Sequence, residues 1–180
     1  MNESPSTDSE QFAGEVTGLT VSAEEVVAAP PELVWDLVAD ITRVSGWSPE
    51  CIRTAWLGQP AGPRPGARFK GHNRFPNGFE WEVTCVVTEA DRPRRFGWAV
   101  LDDSGDPARP SSLWRYEIDP LPGGASRVRQ RFTHGPGFSF LRPLAEAAPD
   151  SAAEIIAARR DGLRANMIAT LRAMKAAAES

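Results

Sequence analysis

Apolar and polar residues alternate along seven segments between residues 19 and 134, which is the periodicity of a strand with one buried face. The predicted strands are Leu19–Ala29, Ile52–Leu57, Ala67–Phe75, Phe79–Thr88, Arg95–Leu101, Leu113–Asp119 and Ser126–His134. Short turns such as Pro76-Asn77-Gly78 separate most of them, so neighbouring strands are expected to run antiparallel. Val86 interrupts the alternation of its strand and predicts a bulge nearby.

Two other segments have helical periodicity. Glu32–Asp40 follows a pair of prolines and is predicted to form a short amphipathic helix. A second apolar stripe begins after a capping box at Ser151 and Glu154 and continues for about 25 residues, to near Ala178. Gly162 in its middle costs about 1 kcal/mol relative to alanine, which predicts a close backbone approach or space for another group. The order of elements predicts an α+β fold with one antiparallel sheet and a long C-terminal helix.

The N-terminal residues differ in composition from the rest of the chain. Residues 1–16 are polar and acidic, and they are predicted to form a disordered tail before a single domain at residues 17–180. They lack the apolar core of a signal peptide, and no segment approaches the roughly 20 apolar residues of a membrane span. We therefore expect a cytoplasmic protein that does not cross a membrane.

Charge is unevenly distributed along the chain. The first 50 residues hold ten acidic residues and one arginine, whereas the remainder holds 19 basic and 14 acidic residues. A basic body can indicate nucleic-acid binding, but here the basic residues alternate with Glu80, Glu82 and Glu117. We expect them to pair across strands on the solvated face, which also carries His72, and we predict no nucleic-acid partner.

The chain contains few residues suited to metal or thiol chemistry. His72, His134, Cys51 and Cys85 are its only histidines and cysteines, and none of them are at ligand spacing. The pair Gly66 and Gly71 has the spacing of a phosphate loop, but it lacks the lysine and leads into a strand. We therefore predict no metal, no cofactor and two reduced thiols.

Five short motifs, in order, resemble those of the START-like superfamily, and specifically its polyketide cyclase/dehydrase family. They are Ala28–Asp40 with Trp47–Glu50, Pro65–Asn73, Pro93–Trp98, Trp114–Tyr116 and Arg131–Gly137. The resemblance extends over about residues 19–178. It implies a helix-grip fold, in which a curved antiparallel sheet of about seven strands wraps around the long C-terminal helix, with one or two short helices after the first strand. It also implies a cavity between the sheet and the helix, where cyclases of the family close and dehydrate the rings of a polyketide chain.

The inward face of the predicted sheet is rich in aromatic residues. Together with residues of the helices, it gives a predicted ligand pocket of Trp35, Trp47, Trp56, Phe69, Asn73, Trp81, Cys85, Phe96, Trp98, Trp114, Tyr116, Gln130, Phe132, His134, Leu163 and Met167. A large aromatic surface with a few polar members is typical of a small-molecule site. The alternative is that these residues form an ordinary filled core.

Four polar residues on this face are the catalytic candidates: Asn73, Tyr116, Gln130 and His134. His134 could act as a general acid or base, and the Tyr116 hydroxyl could orient a carbonyl or stabilise an enolate. Ordinary buried hydrogen bonding explains the same residues equally well. The alternation places no arginine securely inward, although Arg53 or Arg142 could reach the mouth of the pocket.

Three function classes remain open from the sequence. The first is a module that binds a hydrophobic or aromatic molecule, such as a lipid, a quinone or a polyketide-like metabolite. The second is a cyclase or dehydratase, and the third is an interaction protein with a filled core. A cavity smaller than about 300 Å³ would favour the third. The chain is expected to be a monomer or a homodimer, with the first strand as an edge available for pairing.

Overall fold

The structure is a computed structural model and describes residues 16–59 and 61–180. Its strands are β1 (Thr20–Val27), β2 (Cys51–Leu57), β3 (Arg68–Arg74), β4 (Glu80–Asp91), β5 (Arg95–Leu101), β6 (Ser112–Leu121) and β7 (Ala125–His134). Its α-helices are α1 (Pro31–Ala39), α2 (Leu141–Ala147) and α3 (Ala152–Ala178). The predicted tail lies outside the described residues except for Val16, which is buried.

The seven strands form one antiparallel sheet in the order β1-β7-β6-β5-β4-β3-β2. Strands β2 to β7 are neighbours in chain order, and the first strand returns to pair with the last. The predicted bulge is present, because the register between β4 and β5 shifts between Val87 and Glu89. The α+β, helix-grip prediction is therefore confirmed. A 3₁₀ turn at Ile41–Gly46 follows α1. Helix α2, between β7 and α3, is an element that the sequence pattern did not indicate.

Helix α3 packs on the sheet through the apolar stripe that the sequence indicates. Leu163, Met167, Leu171 and Met174 on this stripe are all buried. The capping-box prediction is wrong: Ser151 ends a 3₁₀ turn, and its side chain makes no capping hydrogen bond. The close backbone approach at Gly162 is also wrong, since a methyl group there would meet no atom within 4 Å, and of the two alternatives only open space beside the helix is left.

The edge of the sheet at β1 is covered by α3. Three side chains from this helix and its C-terminal end bond to the β1 backbone: Arg164 to the carbonyl of Ser22, Lys175 to that of Val26, and Glu179 to the amide of Ala28. These bonds use backbone groups that a second chain would need for sheet extension. Part of this edge is therefore already engaged by α3 and its C-terminal end, and pairing of β1 with a second chain stays a prediction.

The outward face carries the predicted ion pairs between strands. Arg74 bonds to Glu80, and Lys70 bonds to Glu82, between neighbouring strands β3 and β4. His72 lies between the same two carboxylates, 2.7 Å from Glu80 and 3.4 Å from Glu82. The hydrogen bonds to both carboxylates raise the pKa of His72 above its usual value. Lys70, His72 and Arg74 of β3 are therefore all paired with carboxylates of β4.

Candidate functional site

A cavity of about 730 Å³ lies between the inward face of the sheet and helix α3. Strands β3 to β7 supply one wall, and α3 supplies Leu163, Met167 and Thr170 to the other. The loop after β7 and helix α2 border the cavity with Phe138, Phe140 and Leu144. The described residues thus line a cavity whose volume suits a drug-sized molecule.

Aromatic rings cover the sheet side of this cavity because three inward positions face one another across β5, β6 and β7. Trp98 is directly opposite Trp114, and Trp114 is directly opposite Phe132. The two indoles are stacked, with centroids 6.0 Å apart and planes within 8°. Phe132 meets Trp114 edge-on at 4.9 Å. This row of rings, Trp98, Trp114 and Phe132, is called the aromatic wall below.

Tyr116 and Gln130 form a buried polar pair beside the aromatic wall. They are opposite each other on β6 and β7, and the Gln130 amide donates to the Tyr116 hydroxyl at 3.1 Å. The amide oxygen of Gln130 is buried, and no residue in the described part of the chain bonds to it. Burial raises the pKa of Tyr116, so its hydroxyl stays protonated and can donate to an acceptor in the cavity.

His134 ends β7 on the same face and is only 5% exposed. Both ring nitrogens are buried, and neither has a hydrogen-bond partner among residues 16–59 and 61–180. Burial lowers the pKa of His134 to about 4, with further lowering by the positive charges of Arg142 and Arg159. The imidazole is therefore neutral at physiological pH, with one donor and one acceptor.

A charged cluster on the helix side of the cavity was missed by the sequence prediction. Arg159 of α3 donates from both terminal nitrogens to the Glu50 carboxylate, each at 2.9 Å, and Asn166 donates to the same carboxylate. The guanidinium also lies over the Phe75 ring, 5.1 Å from its centroid. Arg159 precedes Leu163 by four residues, so the helical period itself places it on the buried stripe.

The loop after β7 is packed too tightly to allow larger residues. A β-carbon at Gly135 would collide with the carbonyl of Pro110, and one at Gly137 with the carbonyl of Arg109. Arg142 donates to the carbonyls of both glycines. These contacts fix the backbone that leads from the inward His134 to the exposed ring of Phe138 at the mouth of the cavity.

Twelve of the predicted pocket residues line the cavity: Phe69, Asn73, Trp81, Cys85, Trp98, Trp114, Tyr116, Gln130, Phe132, His134, Leu163 and Met167. The other four pack outside it: Trp35, Trp47, Trp56 and Phe96. Trp35 fills the space between α1 and β5, where its indole donates to the Arg95 carbonyl and meets Phe96 edge-on. Trp56 packs edge-on against Phe69 from β2.

The four catalytic candidates do not converge on one point. Tyr116 and Gln130 are in contact, but His134 follows Gln130 by four residues, about 13 Å along a strand. Asn73 is on β3, three strands away from Tyr116 in the sheet. Any shared substrate must therefore extend across the cavity to reach more than one of them.

Two arginines were proposed to reach the mouth. The Arg53 side chain is 72% exposed and lies near Glu82 on the outward face, and Arg142 is half-buried beneath the loop after β7. Of Arg53, Arg142 and Arg159, only Arg159 lines the cavity.

The two thiols of the cavity are protonated at neutral pH because burial raises the pKa of each. Cys51 and Cys85 are both free, and both line the cavity. Burial raises the pKa of Cys51 to about 11, and it raises the pKa of Cys85 further. Within residues 16–59 and 61–180, no cluster of three potential metal ligands occurs. No helix in the same part of the chain is long and apolar enough to cross a membrane.

Comparisons with known proteins identify the family. The family model for polyketide cyclase/dehydrase and lipid transport matches residues 18–179. A Polyketide_cyc-like protein of Corynebacterium glutamicum is 31% identical, with 87% of this chain and 91% of that chain covered and a TM-score of 0.57. No curated protein matches.

Two solved aromatase/cyclases share the fold at lower identity. The Zhui aromatase/cyclase from Streptomyces sp. R1128 is 20% identical, with a TM-score of 0.66 over 89% of this chain and 93% of that one. The di-domain aromatase/cyclase BexL of the BE-7585A biosynthetic pathway is also 20% identical, with a TM-score of 0.63 over 90% of this chain and 51% of that one. The family match over residues 18–179 establishes that this chain belongs to the polyketide cyclase/dehydrase and lipid transport family.

Proposed function

We propose that this protein binds a flat, largely apolar small molecule in the cavity between the sheet and α3. The observation that carries the proposal is the aromatic wall, which borders a cavity of about 730 Å³. Burying a ring system against it removes apolar surface from water at about 25 cal/mol per Å². The volume disagrees with the filled-core alternative, for which we expected less than about 300 Å³.

Two measurements test this binding function. Native mass spectrometry of the protein purified from its own host is expected to show a co-purifying small molecule. Titration with naphthalene derivatives is expected to quench tryptophan fluorescence, because two indoles lie in the aromatic wall.

Two neighbouring residues of β4 provide a matched pair of variants. Cys85→Phe adds a ring inside the cavity, whereas Thr84 does not line it, so Thr84→Phe leaves the cavity space unchanged. Only the first variant should lose the quenching. A bare native mass together with equal quenching in both variants would contradict the proposal.

A second candidate function is cyclisation or dehydration of a polyketide-like substrate in the same cavity. The observation in its favour is the Tyr116 hydroxyl, which accepts from Gln130 and so has its own proton available for a ligand carbonyl. That bond would strengthen as the carbonyl gains enolate charge during ring closure. Neutral His134 could accept a proton but could not serve as an acid near neutral pH.

Single substitutions separate catalysis from binding. If the protein is an enzyme, Tyr116→Phe should lower kcat for a validated substrate while the fluorescence affinity for an apolar probe stays nearly unchanged. His134→Ala provides the second test. Unchanged turnover in both variants would eliminate the catalytic role and leave the binding function intact.

A further inference from the structure

We propose that the ligand carries a carboxylate on an aromatic ring and that this carboxylate binds against His134, in the positive field of Arg142 and Arg159. The inference rests on the binding function proposed above and specifies the class of ligand. It assigns one end of the cavity to an anion, which the apolar character of the aromatic wall alone does not indicate.

The first support is the hydrogen bonding of His134. Its side chain is more than nine-tenths buried, it lines the cavity, and neither of its ring nitrogens has a partner among the described residues. A buried imidazole without partners is destabilising by about 1–3 kcal/mol, so such groups in folded proteins usually have one. A ligand in the cavity can supply that partner.

The second support is the sign of the surrounding charge. The two charged groups that act on His134 are both positive: Arg142 of α2 and Arg159 of α3. The carboxylate that pairs with Arg159 is that of Glu50, which also accepts from Asn166. The Arg159 bonds to Glu50 use one N–H of each terminal nitrogen, which leaves further donors on the guanidinium.

A remaining acidic group of the cavity wall is also engaged elsewhere. Asp102 accepts from the amide of Phe138 and from Ser104, and these bonds lower its pKa. Asp102 is not one of the charged groups that shift the pKa of His134. A ligand anion at His134 would therefore lie in the positive field of two guanidinium groups, and no carboxylate is among the groups that shift this imidazole.

The third support is the position of the aromatic wall. Phe132 meets the His134 ring edge-on at 4.7 Å, and Trp114 follows Phe132 in the wall. An anion at His134 is thus directly adjacent to a surface that binds flat rings, which favours a carboxylate attached to the ring itself. The Tyr116–Gln130 pair, about 13 Å farther along β7, suits a hydroxyl at the opposite end of the molecule.

Isothermal titration calorimetry of the full chain with two probes of nearly equal shape tests whether the negative charge of the ligand contributes to binding. The probes are naphthalene-2-carboxylate and its neutral amide, naphthalene-2-carboxamide. We expect the wild-type protein to bind the carboxylate about tenfold more tightly, because charge-assisted hydrogen bonds are roughly twice as strong as neutral ones. His134→Phe should remove most of this preference and leave the affinity for the amide within about twofold.

Matched variants show whether the preference arises at this end of the cavity. Arg159→Gln should also remove the preference, and the double variant Glu50→Gln with Arg159→Gln does so without leaving an unpaired buried carboxylate. His72→Phe and Arg160→Gln are the controls, because both side chains lie outside the cavity. These controls should retain the wild-type preference.

The outcomes separate the two proposals. If the wild-type protein binds the amide as tightly as the carboxylate, the anion site is refuted and the binding function stands. The same conclusion follows if the carboxylate preference survives both His134→Phe and the double variant. If neither probe binds or quenches fluorescence, the binding function fails and the anion site fails with it.

Discussion

The buried histidine makes the stability of the fold depend on pH in a direction that can be measured. The pKa of His134 is about 4 in the folded protein, against 6.5 for an ordinary histidine. Between these two values the unfolded chain binds a proton that the folded protein does not bind. Stability is therefore lost as the pH falls below 6.5, and the loss is complete below about 4.

The size of this loss follows from the two pKa values. Lowering the pH from about 7.5 to about 5 should cost about 2 kcal/mol of unfolding free energy, since one pKa unit corresponds to about 1.4 kcal/mol. The variant His134→Phe lacks the titrating group. Its stability should fall by about 2 kcal/mol less than that of the wild-type protein over the same interval.

Urea unfolding at the two pH values, followed by tryptophan fluorescence, measures the difference. The control is His72→Phe, because the pKa of His72 is raised by Glu80 and Glu82. The stabilisation from His72 is present below pH 6.5 and is lost as the pH rises through its raised pKa. His72→Phe should therefore lose more stability than the wild-type protein on acidification. Equal acid sensitivity in the wild-type protein and His134→Phe would refute the neutral, buried imidazole.

Three further tests concern the packing around the cavity, and two of them pair a variant with a control; all are measured by urea unfolding. Gly135→Ala should destabilise the fold by more than about 2 kcal/mol because its methyl group would meet a backbone carbonyl. Its control, Gly162→Ala, should stabilise α3 by up to about 1 kcal/mol. If Gly135→Ala were the more stable of the two variants, the tight packing of the loop after β7 would be contradicted. Arg159→Ala should cost about 2–3 kcal/mol because it leaves a carboxylate unpaired, and the exposed neighbour Arg160→Ala should cost less than about 0.5 kcal/mol. Equal costs would show that the inner pair is solvated. Tyr116→Phe should cost about 1 kcal/mol for one buried hydrogen bond, and no loss would mean that Gln130 finds another partner.

The sheet could be predicted from the sequence because nearly every strand has one face in the core and one face in water. β7 shows this most clearly: its even-numbered residues, from Ser126 to His134, are buried, while its odd-numbered residues are more exposed. β4 shows the limit of the method. The prediction ended it at Thr88, but the strand continues to Asp91 because the bulge after Val87 changes the phase of the alternation.

The contents of the inward face could not be predicted in the same way. Alternation identifies which side chains point inward, but the distance between the sheet and the helices decides whether they line a space or fill it. Helix α1 fills one end, where Trp35 and Phe96 are packed together. Arg159 was missed for a related reason: a charged residue suggests a solvated position, and its partner Glu50 is 109 residues away in the chain.

The two histidines show how much chemistry depends on the phase of a strand. His72 on β3 points outward between two carboxylates, and its pKa is raised. His134 on β7 points inward beneath two guanidinium groups, and its pKa is lowered. Because successive side chains alternate between faces, a shift of one residue in either strand would turn the histidine of that strand to the opposite face of the sheet. The register of the sheet therefore places one histidine in a surface ion-pair network and the other, uncharged, in the wall of the cavity, which the composition of the chain alone does not distinguish.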